Sequence, residues 1–69
     1  MTERAGTLRM LPTLRWALCR PGEKPIEIDS GETFSVEYRG EMRPTRMEYA
    51  RSDGYYSIDG YLLYDGVRV

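Results

Sequence analysis

From Thr7 onward the chain alternates apolar and polar positions with a period of two, the signature of strands with one buried face. "TLRML" places Leu8 and Met10 on one face, and "LRWALCR" places Leu14, Trp16 and Leu18 inward against Arg15, Ala17 and Cys19. With Pro12-Thr13 between them, these segments read as a strand pair or as one long strand bent at the proline. "RPGEKP" is a turn by its chemistry, "IEID" alternates Ile26 and Ile28 with Glu27 and Asp29, and "SGE" turns again. The clearest strand is "TFSVEYRG", with Phe34, Val36 and Tyr38 facing one way and Thr33, Ser35, Glu37 and Arg39 the other. "MRPTRMEYA" predicts a further strand with Thr45, Met47 and Tyr49 on one face and Arg46 and Glu48 on the other. Pro44, which lacks an N–H, suggests that this strand begins at a sheet edge.

In the last stretch, "SDGYYSIDGYLLYDGVRV", Asp-Gly recurs at Asp53-Gly54, Asp59-Gly60 and Asp65-Gly66. Asp-Gly suits type I′ hairpin turns, which need positive φ at both central residues, so the expectation is a meander of very short strands, "YYSI", "YLLY" and "VRV". A solenoid of short rungs would need more copies than this to bury a continuous core. No segment sustains the i, i+3, i+4 repeat of an amphipathic helix.

The predicted fold is therefore all-β: about five to seven short strands in a small, strongly bent antiparallel sheet or SH3-like barrel. Residues 1–6 read as a flexible N-terminal tail and residues 7–69 as a single domain. The expected core is Leu14, Trp16, Phe34, Val36, Met47, Tyr56, Ile58 and Val67. A chain of 69 residues can bury only a small core, so there is little stability to spare.

The single cysteine, Cys19, excludes an intramolecular disulfide, and the absence of histidine removes Cys/His metal frameworks. Cys19 reads as a buried or half-buried small apolar side chain, and no cofactor is expected. The N-terminal "MTERAGTLRML" lacks the apolar block of a signal peptide, and apolar runs of about four residues fall far short of the roughly 20 that span a bilayer. A reduced, cytoplasmic setting is the expectation. The three aspartates lack the oxygen density and closing glutamate of an EF-hand loop, and "GEKP" lacks the spacing of a phosphate loop. With no histidine and no built cleft in view, enzymatic activity is not expected.

The net charge of −1 hides blocks of sign: +3 over residues 1–20, −4 over 21–37, +2 over 38–51 and −2 over 52–69. All basic residues but Lys24 are arginine, which pairs bidentately with carboxylates and phosphates and stacks on aromatic rings. Two binding surfaces follow. Tyr55, Tyr56, Tyr61 and Tyr64 crowd the last eighteen residues, and alternation cannot bury all four, so some would form an exposed aromatic patch for a protein partner. Alternatively, Arg39, Arg43, Arg46 and Arg51, interleaved with Tyr38 and Tyr49, could grip a nucleic-acid backbone, although Glu37, Glu41 and Glu48 would also pair with them across strands. The candidate binding residues are Arg39, Arg43, Arg46, Arg51, Tyr49, Tyr55, Tyr61 and Tyr64, with a protein partner ranked ahead of nucleic acid because the chain is not basic. A homodimer is a further option, through pairing of an open strand edge.

From Ile28 to Val69 the order of elements resembles a family of small bacterial domains of uncharacterised function. The resemblance rests on Gly31-Glu32, the strand Phe34–Tyr38, Gly40, Pro44-Thr45-Arg46-Met47-Glu48, Tyr55-Tyr56 and Gly66-Val67-Arg68. It implies a small β-barrel, commonly encoded on mobile elements, that could act as an inhibitor or accessory protein, and it supplies no catalytic residues. The expected function is thus a non-enzymatic binding module.

Overall fold

A computed structural model describes residues 6–69. The expected N-terminal tail lies outside the described residues apart from Gly6, whose carbonyl accepts the Val69 N–H at 3.0 Å. The described residues form six strands and no helix: β1 (Thr7–Met10), β2 (Trp16–Cys19), β3 (Ile26–Glu27), β4 (Thr33–Tyr38), β5 (Glu41–Ala50) and β6 (Gly54–Ser57). They make two antiparallel three-stranded sheets in the orders β1-β2-β3 and β4-β5-β6.

The turn chemistry explains two of the four hairpins. In the first, Pro12 presets the turn in which Leu14 N–H donates to Leu11 C=O at 2.8 Å, and Leu14 itself sits at φ 67° before the chain re-enters the ladder. In the second, Tyr38 pairs with Glu41 around Arg39 (φ 53°) and Gly40 (φ 81°), the two positive-φ positions of a type I′ turn. The fold's two-residue hairpin turn is therefore Arg-Gly, and the Asp-Gly pairs serve otherwise. Positive φ falls on each glycine but on none of the three aspartates. Asp53 closes a turn from Ala50, Gly60 closes one from Ser57, and the Asp65 carboxylate accepts the Met10 N–H at 2.8 Å. Of the expected meander only β6 is a strand; residues 61–64 are irregular, and the last residues make a single bridge, Thr7 to Arg68.

β5 is the long strand that bends the second sheet. Its first part pairs with β4, from Glu41–Tyr38 to Arg46–Thr33, and its last part with β6, from Met47–Ser57 to Ala50–Gly54. Pro44 stands inside β5, not at its start as expected. It lies opposite Ser35, in a pair whose backbone groups point out of the β4–β5 ladder, and β6 has not yet joined on its other side. Its missing N–H therefore falls on an open edge, where a strand tolerates proline.

The expected SH3-like barrel does not close. The segment after Gly66 ties β1 to β4, since Leu8 N–H donates to Val67 C=O (2.9 Å) and Glu37 N–H donates to Arg68 C=O (2.8 Å). β3, however, is only two residues long and follows Pro25, and no ladder joins it to β4 among the described residues.

The core lies between the sheets, with Leu8, Val36 and Met47 fully buried beside Trp16, Leu18, Ile28 and Val67. Phe34 packs against it half-buried, and Tyr56 is half-buried. Leu14 and Ile58 do not belong to the core as expected, being 70% and 45% exposed, because both occupy turns rather than strands. Ala17, assigned outward, is buried, so both faces of β2 are covered. Across the β5–β6 pair the buried Thr45 and Ser57 hydroxyls share a hydrogen bond of 2.7 Å, which either can donate.

Candidate functional site

The joint between the two sheets is built on Tyr55. The Trp16 indole N–H donates to the Tyr55 carbonyl at 3.1 Å, and the Arg15 guanidinium lies 5.2 Å from the centre of its ring. Arg15 also reaches Asp29 at 2.6 Å and Glu27 at 3.3 Å, so a turn residue of the first sheet is held between an acidic pair and an aromatic face. The guanidinium is held above its ordinary pKa, first by its electrostatic interaction with Tyr55 and then, against an opposing desolvation, by the hydrogen bond and charge of Asp29 and the charge of Glu27. Tyr49 packs on Tyr55 at 4.8 Å between ring centres, tilted by 52°.

Beside this joint runs an open groove of about 520 Å³, walled by β6 and residues 60–63 on one side and by Met10, Leu14 and Trp16 on the other. Its lining is mostly apolar and aromatic and includes Tyr55, Tyr56, Tyr61, Leu62 and Leu63. Leu62 is 75% exposed at its rim, facing solvent as fully as Leu14. Grooves lined by rigid aromatic and aliphatic groups, with a few polar atoms at hand, are the usual form of a recognition site. Nothing in the lining supplies paired carboxylates or an activated nucleophile; Asp53 is its one charged residue.

The expected binding residues divide. Tyr55 and Tyr61 line the groove, half-buried, and Tyr61 also packs on Tyr38 at 5.1 Å. Tyr49 and Tyr64 are exposed but stand outside the groove lining. The four arginines do not form one surface. Arg39 sits in the β4–β5 turn over the Tyr38 ring, and Arg51 in the turn at the far end of β5. Those turns stand at opposite ends of the ten-residue β5. Between them Arg43 shares the face of Thr45 and Met47, while Arg46 points to the opposite side, because an odd spacing on a strand reverses the direction of the side chain. Arg43 pairs with Glu41 at 2.9 Å, and Arg46 pairs with Glu48. Sequence alternation places Leu14 in the core and gives Leu62 no role. For Leu14 the local signal was its position two residues after Pro12, inside the turn.

Among the described residues there is no helix long and apolar enough to cross a membrane, and no group of three or more acidic, cysteine or histidine side chains converges as a metal site would require. Comparison with protein-family models, with curated proteins and with solved structures returns no match.

Proposed function

We propose that this chain is a non-enzymatic protein-binding module whose partner seats in the groove beside Tyr55. The observation that carries this reading is Leu14, an apolar side chain 70% exposed on the groove wall and held at φ 67°. The left-handed region costs a leucine about 1–2 kcal/mol, and an exposed position returns little burial energy. A residue that lowers the stability of the free fold and gains burial only when covered suits a contact point. Leu62, Tyr56 and Tyr61 supply the remaining anchors.

The other parts of the reading rest on sequence. An open SH3-like arrangement, a cytoplasmic setting, and an inhibitory or accessory role on a bacterial mobile element belong to the same proposal, the last through the resemblance over residues 28–69. The arginines favour a protein partner over nucleic acid, since they are spread over two faces and both ends of β5, and two of the four are engaged by glutamates. The test is capture from lysate of the native host with and without nuclease. The expected result is a discrete protein retained after nuclease and lost with Leu62→Ser; retention of nucleic acid alone, or capture unaffected by Leu62→Ser, would overturn the reading.

A further inference from the structure

The edges of a small open sheet must be covered if the chain is not to pair indiscriminately, and most edges of this fold are. The outer edge of β6 meets the Trp16 indole at the Tyr55 carbonyl and the Gly60 N–H at the Ser57 carbonyl. The free part of β5 carries Pro44, and β3 is preceded by Pro25. β4 differs. Tyr38 and Glu41 close a two-residue turn and Met47 N–H donates to Glu32 C=O, so Glu32, Phe34, Val36 and Tyr38 direct their backbone groups to β5. Thr33, Ser35 and Glu37 therefore direct theirs outward. Glu37 N–H is taken by Arg68 C=O at 2.8 Å, whereas no strand covers Thr33 and Ser35 among the described residues.

Alongside that stretch lies a second cavity of about 220 Å³, floored by Leu18, Ile28, Phe34 and Val69 and flanked by Thr33 and Ser35. It continues as a narrower slit of about 90 Å³ between β4 and β3, past Glu27 and Glu32. An unpaired backbone edge beside an apolar slot is the arrangement that accepts an added strand, with main-chain hydrogen bonds on one side and a pocket for alternate side chains. The surrounding charge specifies the occupant: Arg15 and Arg20 pair with Glu23, Glu27 and Asp29, whereas Glu37, and Glu32, whose carboxylate accepts the Asp29 N–H at 2.6 Å, form no ion pair with an arginine or lysine among the described residues. We infer that the Thr33–Ser35 edge of β4 takes an extended segment of a partner protein, basic on its outward face and aliphatic toward the slot. This goes beyond the groove reading and does not depend on it, because the edge lies on other residues.

The test uses the isotopically labelled full chain and a synthetic probe, acetyl-Lys-Val-Lys-Val-Lys-Val-Lys-amide, followed by amide shifts and hydrogen exchange. The expected result is that the probe slows exchange at Thr33 and Ser35 by about tenfold or more. The Glu-Val counterpart, and the basic peptide N-methylated at every residue, should leave both amides unprotected. Glu37→Lys, which leaves the Glu32–Asp29 turn hydrogen bond in place, should weaken binding about fivefold. The inference is overturned if neither amide responds to the basic probe, if the N-methylated peptide protects equally, or if the response falls on Tyr55 and Leu62, which would leave the groove reading standing. Protection that grows with protein concentration without peptide would also overturn it, assigning the edge to a second copy.

Discussion

Replacing Leu14 with glycine separates what the fold needs from what the groove offers. Leu14 is held at φ 67° and is 70% exposed, so its backbone conformation is the expensive feature and its side chain buries little. Relief of the left-handed strain contributes about 1–2 kcal/mol, while the greater freedom of glycine in the unfolded chain takes back about 0.5–1 kcal/mol. The net expectation for Leu14→Gly is a gain of about 0.5–1 kcal/mol, which raises the Tm by about 2–8 °C in a domain this small. Leu14→Ala keeps the strain and removes the side chain, so it should leave stability within about 0.5 kcal/mol of the parent. Thermal and urea unfolding followed through the emission of Trp16, the one tryptophan of the chain, read both variants. A loss of about 1 kcal/mol or more in Leu14→Gly would refute the reasoning, because it would mean that the leucine packs on the fold in solution.

Other substitutions test the rest of the fold. Ser57→Ala leaves the buried Thr45 hydroxyl without its partner and should cost about 1–3 kcal/mol, most of it recovered when Thr45→Val is added; a urea double-mutant cycle measures the coupling. Gly6→Ala places a Cβ 2.7 Å from both the Cys19 carbonyl oxygen and Leu18 Cδ1. The carbonyl is fixed in the backbone, so a loss of about 1–3 kcal/mol is expected, read as a lower Tm. Met47→Ala opens the core where the two halves of β5 meet and should cost about 2–5 kcal/mol, enough to leave a substantial unfolded fraction by circular dichroism at ambient temperature.

The parts of the fold that period-two alternation controls could be read from sequence. Leu8, Trp16, Leu18, Val36 and Met47 are inward because each lies within a paired strand, where parity fixes the direction of a side chain. Alternation lost its meaning at the strand ends. Leu14 and Ile58 keep the parity of their neighbours in sequence but sit in turns, where the backbone no longer alternates. The Asp-Gly rhythm misled for a related reason: the dipeptide signals a turn without fixing its length, and here each aspartate keeps negative φ while the type I′ geometry falls on Arg39-Gly40. The aromatic cluster was legible in outline, since Tyr55 and Tyr61 do line the groove, but its anchoring to Trp16 and Arg15 spans the two sheets and depends on tertiary approach. The opposite facing of Arg43 and Arg46 was available from their odd spacing on a strand, and it separates what composition alone had grouped into one basic surface.

The measurement that tests the central claim most directly is site-specific photocrosslinking in nuclease-treated lysate of the native host. A benzophenone side chain replaces Leu62 on the groove rim in one protein, and Lys24 in the β2–β3 turn in another. The account predicts a discrete protein adduct from position 62, absent from position 24 and diminished when Leu14→Gly is combined with the probe at 62 while the Tm is maintained or raised. No adduct at 62, or the same adducts from both positions, would contradict it.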